Sequence, residues 1–240
     1  MIALGDFTID RIVEYEGPFV PPEDLILNYD PAVYPRHRHW MGPLLDSVTG
    51  ALCISLHSFV LRTGRHTILI DTCMGNHKER PSRSLGHHRT DNFLQRMAAQ
   101  GVHPEEVDFV MCTHLHWDHV GWNTQLINGQ WVPTFPNARY IISQREYDHM
   151  NAMHARGSRT LHDRAFDDSI LPLMRAERAQ LVADGFHIED GVWIESYPGH
   201  TPGNIVINVT SHAERGVFSS DLFHTPLQIA CPAWSSTACY

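Results

Sequence analysis

The sequence of 240 residues contains no C-x-x-C pair, and its five cysteines, Cys53, Cys73, Cys112, Cys231 and Cys239, are odd in number and widely spread. That spacing suggests neither a disulfide framework nor a thiolate zinc site, and leaves buried or free thiols in a reducing compartment. No apolar run is long enough to span a bilayer, and the opening MIALGDFTIDRIVEYEG lacks the basic and apolar regions of a signal peptide. These absences point to the cytoplasm and away from a membrane. Basic residues are also scarce: 18 Lys and Arg against 27 Asp and Glu leave a formal net charge of −9. Affinity for nucleic acid comes largely from cations that neutralise phosphates, so a small-molecule substrate is expected and nucleic acid is not.

What is present describes a soluble globular chain, with 42% hydrophobic and 19% charged residues. One domain spanning residues 1–240 can hold it. Strand patterns run over Ile9–Tyr15, Ala51–Leu61, His66–Ile70, Val107–Cys112, Ala138–Ser143, Val192–Tyr197, Asn204–Thr210 and Gly216–Ser220. Helical spacing covers Phe93–Gln100, Gln144–Arg156 and Ser169–Ala183, the last with Pro172 in its first turn. The Pro-rich stretch Pro18–Pro43 and the polar stretch Met74–Asn92 read as loops. Twice a hairpin ends on an aspartate, at Asp71 and at Asp221, which is a weak internal repeat and fits two β-rich halves face to face with helices outside.

The 18 histidines are the compositional oddity. Four chemistry-bearing residues crowd into residues 113–122, Thr-His-Leu-His-Trp-Asp-His-Val-Gly-Trp, which follow an apolar strand. In extended chain His114 and His116 point the same way and can grip one ion, whereas a turn at Asp118 and His119 aims those two elsewhere. The segment can thus serve both sides of a two-metal site with the nitrogen and oxygen ligands that zinc accepts at ~2.0–2.2 Å. A merely solvated His-rich loop would need no buried strand before it and no Gly121 after it.

His114-Leu115-His116-Trp117-Asp118-His119 matches H-x-H-x-D-H, and with it the chain resembles the metallo-β-lactamase-fold hydrolases, in particular their lactonase and methyl parathion hydrolase-like branch. The resemblance implies an α/β fold, an αββα sandwich of two mixed β-sheets with outer helices and a metal site at the sheet edge. It implies that His200, in Tyr197-Pro198-Gly199-His200-Thr201-Pro202-Gly203, joins His114 and His116 on one ion, and that Asp221 bridges to a second ion held with Asp118 and His119. Asp71 would support the ligand shell without binding metal. The cofactors implied are two divalent transition-metal ions, zinc first, with iron, manganese or cobalt open. The reaction implied is attack of a metal-bridging hydroxide on a small ester or lactone, with Asp118 as the catalytic group that orients it and moves the proton. Phosphoester or thioester hydrolysis, and a metal-binding sensor without turnover, are the alternatives.

The sequence departs from the family after Asp221. A histidine commonly follows later to complete the second ion's shell, but here none follows His224. Truncation of the last strand and helix is the expectation, with His224 as the possible substitute ligand, because a three-residue offset leaves little room to reach round an ion. His37, His39, His77, His87, His88, His149, His154 and His162 read as surface or core-filling residues, with His77 and His88 as weak substrate contacts. Trp40, Tyr34 and Trp122 are candidate pocket walls.

Overall fold

The computed structural model of the protein describes residues 1–157 and 160–237. Its strands are β1 (Ile2–Leu4), β2 (Phe7–Pro18), β3 (Cys53–Arg62), β4 (Thr67–Ile70), β5 (Phe109–Cys112), β6 (Thr124–Ile127), β7 (Gln130–Pro133), β8 (Arg139–Ser143), β9 (Ala179–Val182), β10 (His187–Glu189), β11 (Val192–Ser196), β12 (Ile205–Ser211) and β13 (Glu214–Phe218). The helices are α1 (Pro22–Leu25), α2 (Val33–Met41), α3 (Phe93–Ala99), α4 (Gln144–Ala155), α5 (Leu161–Ala165), α6 (Leu171–Arg175) and α7 (Leu227–Ala230), with a π-helical turn over Phe166–Ile170 joining α5 to α6.

Seven strands form one sheet in the order β1-β2-β3-β4-β5-β8-β9, and four form a second in the order β10-β11-β12-β13. Alternation along the strands sorts the apolar residues into two cores. Val60, Leu69, Val110 and Ile142 face α3 to α6, whereas Leu61, Ile68, Met111 and Ile141 face Ile194, Ile207 and Phe218 of the second sheet. The result is the layered αββα sandwich expected from the sequence. The first sheet is mixed: β4, β5, β8 and β9 run parallel, and β1 to β4 antiparallel. The second was also expected to be mixed but is antiparallel throughout: tight turns join β10 to β11 and β12 to β13, and the loop 197–204 returns the chain from β11 to its neighbour β12 without a crossover.

Two element assignments need correction. Residues 18–43, expected as a loop, contain α1 and α2. Pro22 occupies the first turn of α1, where its missing N–H costs nothing, and α2 buries none of its residues, so no apolar stripe marks it. Residues 169–183, expected as one helix, split into α6 and the edge strand β9, with Glu177 in a left-handed conformation between them.

The loop after β4 is tied down by buried charges. A bulge in β2 between Val13 and Tyr15 accompanies a buried Glu14, whose carboxylate accepts from Met74 N, Gly75 N and Trp122 Nε1 at 2.8, 3.1 and 2.7 Å. Further on, Lys78, the one lysine of the sequence, and Arg80 are fully buried around Asp168. Arg80 donates to both Asp168 oxygens at 2.7 and 2.9 Å, and Lys78 Nζ donates to Thr124 Oγ1 at 2.7 Å while lying 3.6 Å from the Trp131 ring centre.

Burial lowers the Lys78 ammonium to about 7, and Asp168 offsets this only in part. From there up to the ordinary lysine value of 10.5 the unfolded chain holds a proton that the folded chain has released, so this group makes stability rise with pH across that window. Urea titrations at several pH values should therefore show wild type gaining on Lys78→Met by up to about 1.4 kcal/mol per pH unit between neutrality and that upper limit. A constant difference between the two proteins would mean that Lys78 stays charged in its pocket.

Candidate metal centre

Chain segments from both sheets meet at one end of the sandwich, beyond the carboxyl ends of the parallel strands β4 and β5, where open α/β sheets present their ligands. Asp71 leaves β4 in a left-handed conformation (φ +55°). Its carboxylate accepts from Thr113 N and Thr113 Oγ1 at 2.8 and 2.7 Å and meets His119 Nδ1 at 2.8 Å. The hydrogen on Nδ1 leaves His119 Nε2 facing Asp221 Oδ2, 3.4 Å away. The stretch 113–122 is laced to the chain after β4 by Thr72 N to His119 O, Gly121 N to Cys73 O and Trp122 N to Thr72 O, all between 2.7 and 2.8 Å. Only glycine permits that approach, since a Cβ on Gly121 would lie 1.9 Å from the Met74 carbonyl.

His200 arrives between β11 and β12, with its Nε2 2.9 Å from His116 Nδ1 and 3.4 Å from Asp221 Oδ2. Asp221 follows β13 in a short helical turn, Ser220–Leu222. Ligand atoms then cluster in three sets, each within 4.8 Å: His114, His116 and His200; His114, His119 and Asp221; His200, Asp221 and His224. His114 Nε2 is buried with no hydrogen-bond partner. A lone buried imidazole nitrogen aimed among other imidazoles is costly unless something electrophilic fills the space, and nitrogen and carboxylate donors suit a zinc-like ion.

The electrostatics favour the same occupant. Burial, helped by neighbouring rings, pushes His114 and His116 well below the ordinary imidazole value, and burial brings His200 to about 4. These rings are neutral with lone pairs to give. Burial opposes ionisation of Asp221, yet His119 and the other imidazoles outweigh it and hold that carboxyl well below its usual range. For His119 burial is again outweighed, here by Asp221 and Asp71, and its proton is held well above the usual value. Neutral His114, His116 and His200 and an ionised Asp221 are the forms that a divalent metal takes up, whereas His119 would release its extra proton on binding one.

Of the residues proposed from sequence, His114, His116, His119, His200 and Asp221 come together, and Asp71 supports them. Asp118 falls in none of the three sets; it stands beside His119 on the wall of a cavity of about 460 Å³, and burial raises its carboxyl. His224, the possible substitute ligand, joins His200 and Asp221 in the third set. The turn through Asp221 brings His224 Nε2 back to 3.3 Å from Asp221 Oδ2, and Gln228 Oε1 accepts from His224 N at 2.8 Å. His162, expected as a surface or core-filling residue, stacks its ring on His116 with centroids 4.0 Å apart, although no spacing in the sequence links the two. His77, His88, Tyr34, Trp40 and Trp122 do not line this cavity. Trp122 is core, and Trp40 is exposed.

The cavity opens from Asp118, His119, Asp221 and His224 toward Phe19, Leu56, Phe59 and Phe223, with Ser55 and His57 among them. A larger open groove of about 680 Å³ runs past Ile127 and Arg178 and contains none of the clustered histidines, so the smaller cavity is the chemical one.

Residues 55–237 match the sequence profile of the Metallo-beta-lactamase superfamily. An N-acyl homoserine lactonase of Bacillus sp is 28% identical over 116 residues, which are 48% of this chain and only 37% of that protein's length. Metallo-beta-lactamase domain-containing protein 1 of Xenopus laevis is 31% identical over 178 residues, 72% of this chain and 63% of that protein. Among solved structures, a hydrolase in the beta lactamase superfamily aligns with a TM-score of 0.77 at 22% identity, covering 99% of this chain and 79% of that one. A dizinc quorum-quenching lactonase in complex with its product aligns with a TM-score of 0.66 at 20% identity, covering 93% and 74%. The structural likenesses establish the fold.

One residue holds both histidine loops and bears on metal affinity. Buried Glu146, on α4, accepts from Leu115 N at 3.1 Å and from Gly203 N at 3.0 Å, joining the loop of His114 and His116 to the loop of His200. Glu146→Ala strands both donors and should cost about 2–4 kcal/mol in denaturant titrations of the metal-free protein. It should also weaken zinc about 10- to 100-fold against a competing chelator dye, with Glu146→Gln in between. Unchanged zinc affinity in a folded Glu146→Ala protein would show that the two loops hold their ligands without it.

Proposed function

The chain belongs to the metallo-beta-lactamase superfamily, and on that footing we propose that it is a metal-dependent hydrolase of small ester or lactone substrates. The observation that carries the reading is the convergence of five histidines and Asp221 on a common space, with His114 Nε2 buried and unpaired, beside a cavity of about 460 Å³. His114, His116 and His200 are the proposed ligands of one divalent ion, and His119, Asp221 and His224 of a second, with zinc as the first choice at both. Asp221 Oδ2 lies 3.4 Å from His200 Nε2 of the first set and 3.4 Å from His119 Nε2 of the second, and Asp221 is the proposed bridge. When bound, the pair of ions would make water acidic enough to supply hydroxide at neutral pH and would polarise the scissile carbonyl.

The chain's own residues do the rest. Asp71 fixes the tautomer of His119 and so the direction in which its Nε2 points. Asp118, on the cavity wall, is the proposed group that orients the attacking water and passes its proton to the leaving oxygen. Phe19, Leu56 and Phe223 exclude water and offer an apolar surface to the body of the substrate. Lactone hydrolysis is placed ahead of other ester chemistry because several lactonases are among the matched relatives. The reading takes residues 1–240 as one such domain acting on a small molecule, in keeping with a net charge of −9. No described helix is long and apolar enough to cross a membrane. A cytoplasmic setting is part of the proposal, in keeping with four described cysteines that are free.

Metal analysis of protein purified without chelator, together with an ester and lactone panel, tests this directly. About two ions per chain with turnover are expected, with activity lost to a chelator and restored by zinc. His224→Ala should drop the content toward about one ion and lower kcat at least about 100-fold, whereas conservation of two ions in that variant would remove His224 from the second set. Less than one ion and no turnover in the wild type would end the hydrolase reading.

A further inference from the structure

One of the rings around His116 comes from a segment that contributes no proposed ligand. His162, on α5, stacks on the His116 imidazole with centroids 4.0 Å apart and ring planes at 28°. The contacts of His116 with the ligand rings His114 and His200 are steep instead, at 80° and 76°. Glu146 holds the backbone beside His116 at Leu115 N, which leaves the orientation of the imidazole to its own contacts. One of these is His116 Nδ1 with His200 Nε2, at 2.9 Å. It joins two nitrogens of one ligand set, and it cannot persist once both give their lone pairs to an ion. The stack on His162 can.

α5 is itself anchored. Three consecutive residues of the loop after β4 engage residues 164–168: Glu79 pairs with Arg164 of α5 at 2.6 Å, and Lys78 and Arg80 meet the Asp168 carboxylate in the π-helical turn at 3.4 and 2.7 Å. That turn is one residue wider than an α-helical one, with Leu171 N donating to Phe166 O, and such turns are frequent at functional sites. Phe166 at its start is buried and meets the rings of Tyr147 and His154 on α4, with centroids 5.6 and 5.3 Å away. The end of α5 is thus tied to the 78–80 loop and to α4. We propose that His162 is a positioning residue whose ring holds the His116 imidazole in the orientation that serves the first ion. The proposal rests on the metal-dependent reading for the ligand role of His116, but not for the stack itself. None of the three ligand sets among the described residues includes His162, so what it offers His116 is a flat face. A ring already held in place gives up less rotational freedom on taking an ion, and affinity at the first set rises accordingly.

The test titrates metal-free wild type, His162→Phe and His162→Leu with zinc against a competing chelator dye. Phenylalanine keeps a flat ring, and leucine keeps apolar bulk without one. The first equivalent should bind His162→Phe within about twofold of wild type and His162→Leu about five- to tenfold more weakly. Equal affinity of the two variants, or weaker binding by His162→Phe, would overturn the proposal. Should wild type bind no zinc, the metal-dependent reading falls, and NMR relaxation of the His116 ring in the metal-free proteins still decides the role of the stack. A ring more mobile in His162→Leu than in wild type and His162→Phe supports it, whereas equal mobility in all three overturns it. Thermal unfolding of both variants checks that the fold is kept.

Discussion

Three hydrogen bonds to one carboxylate hold the metal end of the sandwich together. Asp71 accepts from the backbone and the hydroxyl of Thr113 and from the imidazole of His119, so the ends of β4 and β5 and the last histidine of the cluster share one anchor. Because the Thr113 backbone is pinned, His114 starts from a fixed point. Its Nδ1 lies 3.2 Å from Thr113 Oγ1 and 3.3 Å from Ser220 Oγ, and its Nε2 is thereby left to face inward. Asp71 reaches these partners only from a left-handed backbone, and Cys73 and Ser220 adopt the same conformation nearby, with φ of +51° and +52°. Each such position costs a non-glycine residue on the order of 1 kcal/mol, and the packing around it must supply the difference.

That packing includes buried acidic side chains. Glu14 and Glu146 are buried carboxylates whose partners are mainly backbone N–H groups, and each fastens a loop next to the cluster. Burial raises both carboxyls. Such groups stabilise little in net terms, since desolvation consumes most of what the hydrogen bonds return. Their effect is geometric: a loop held by two donors to one carboxylate has little freedom to let its histidines drift. The same logic governs Gly203, where a Cβ would fall 2.2 Å from Glu146 N, so the His200 loop can close on α4 only without a side chain there.

What the sequence disclosed follows this division between pattern and packing. The hairpin of β3 and β4, the strand before His114 and the aspartates at two strand ends are written in local alternation and were legible. The helix α2 was not, because it buries nothing and its residues include Pro35 and charged groups. The β6–β7 hairpin went unread although Asn128-Gly129, with φ of +50° and +77°, carries the turn signal that two-residue hairpins prefer. His162 and His57 lie far along the chain from the ligands they approach, and a lone histidine has no spacing to betray it. The spacing of three residues between Asp221 and His224 left little room on paper, and the short turn over Ser220–Leu222 is what brings the two side chains to 3.3 Å.

The two ligand sets also differ in how firmly they are held, and this gives the proposed ions unequal standing. His114, His116 and His200 are 0%, 7% and 3% exposed, and each sits in a loop clamped by Glu146 or by Thr113. Asp221 and His224 instead hang from the turn after β13, with side chains 23% and 12% exposed. A preformed, dry ligand set gives up little conformational freedom on binding, whereas a set on a short turn must order itself and release more water. Asp221 Oδ2 lies 3.4 Å from both His200 Nε2 and His119 Nε2, so an ion held by His114, His116 and His200 would add its charge beside the carboxylate that a second ion would need, and filling of the first set would help to hold the second.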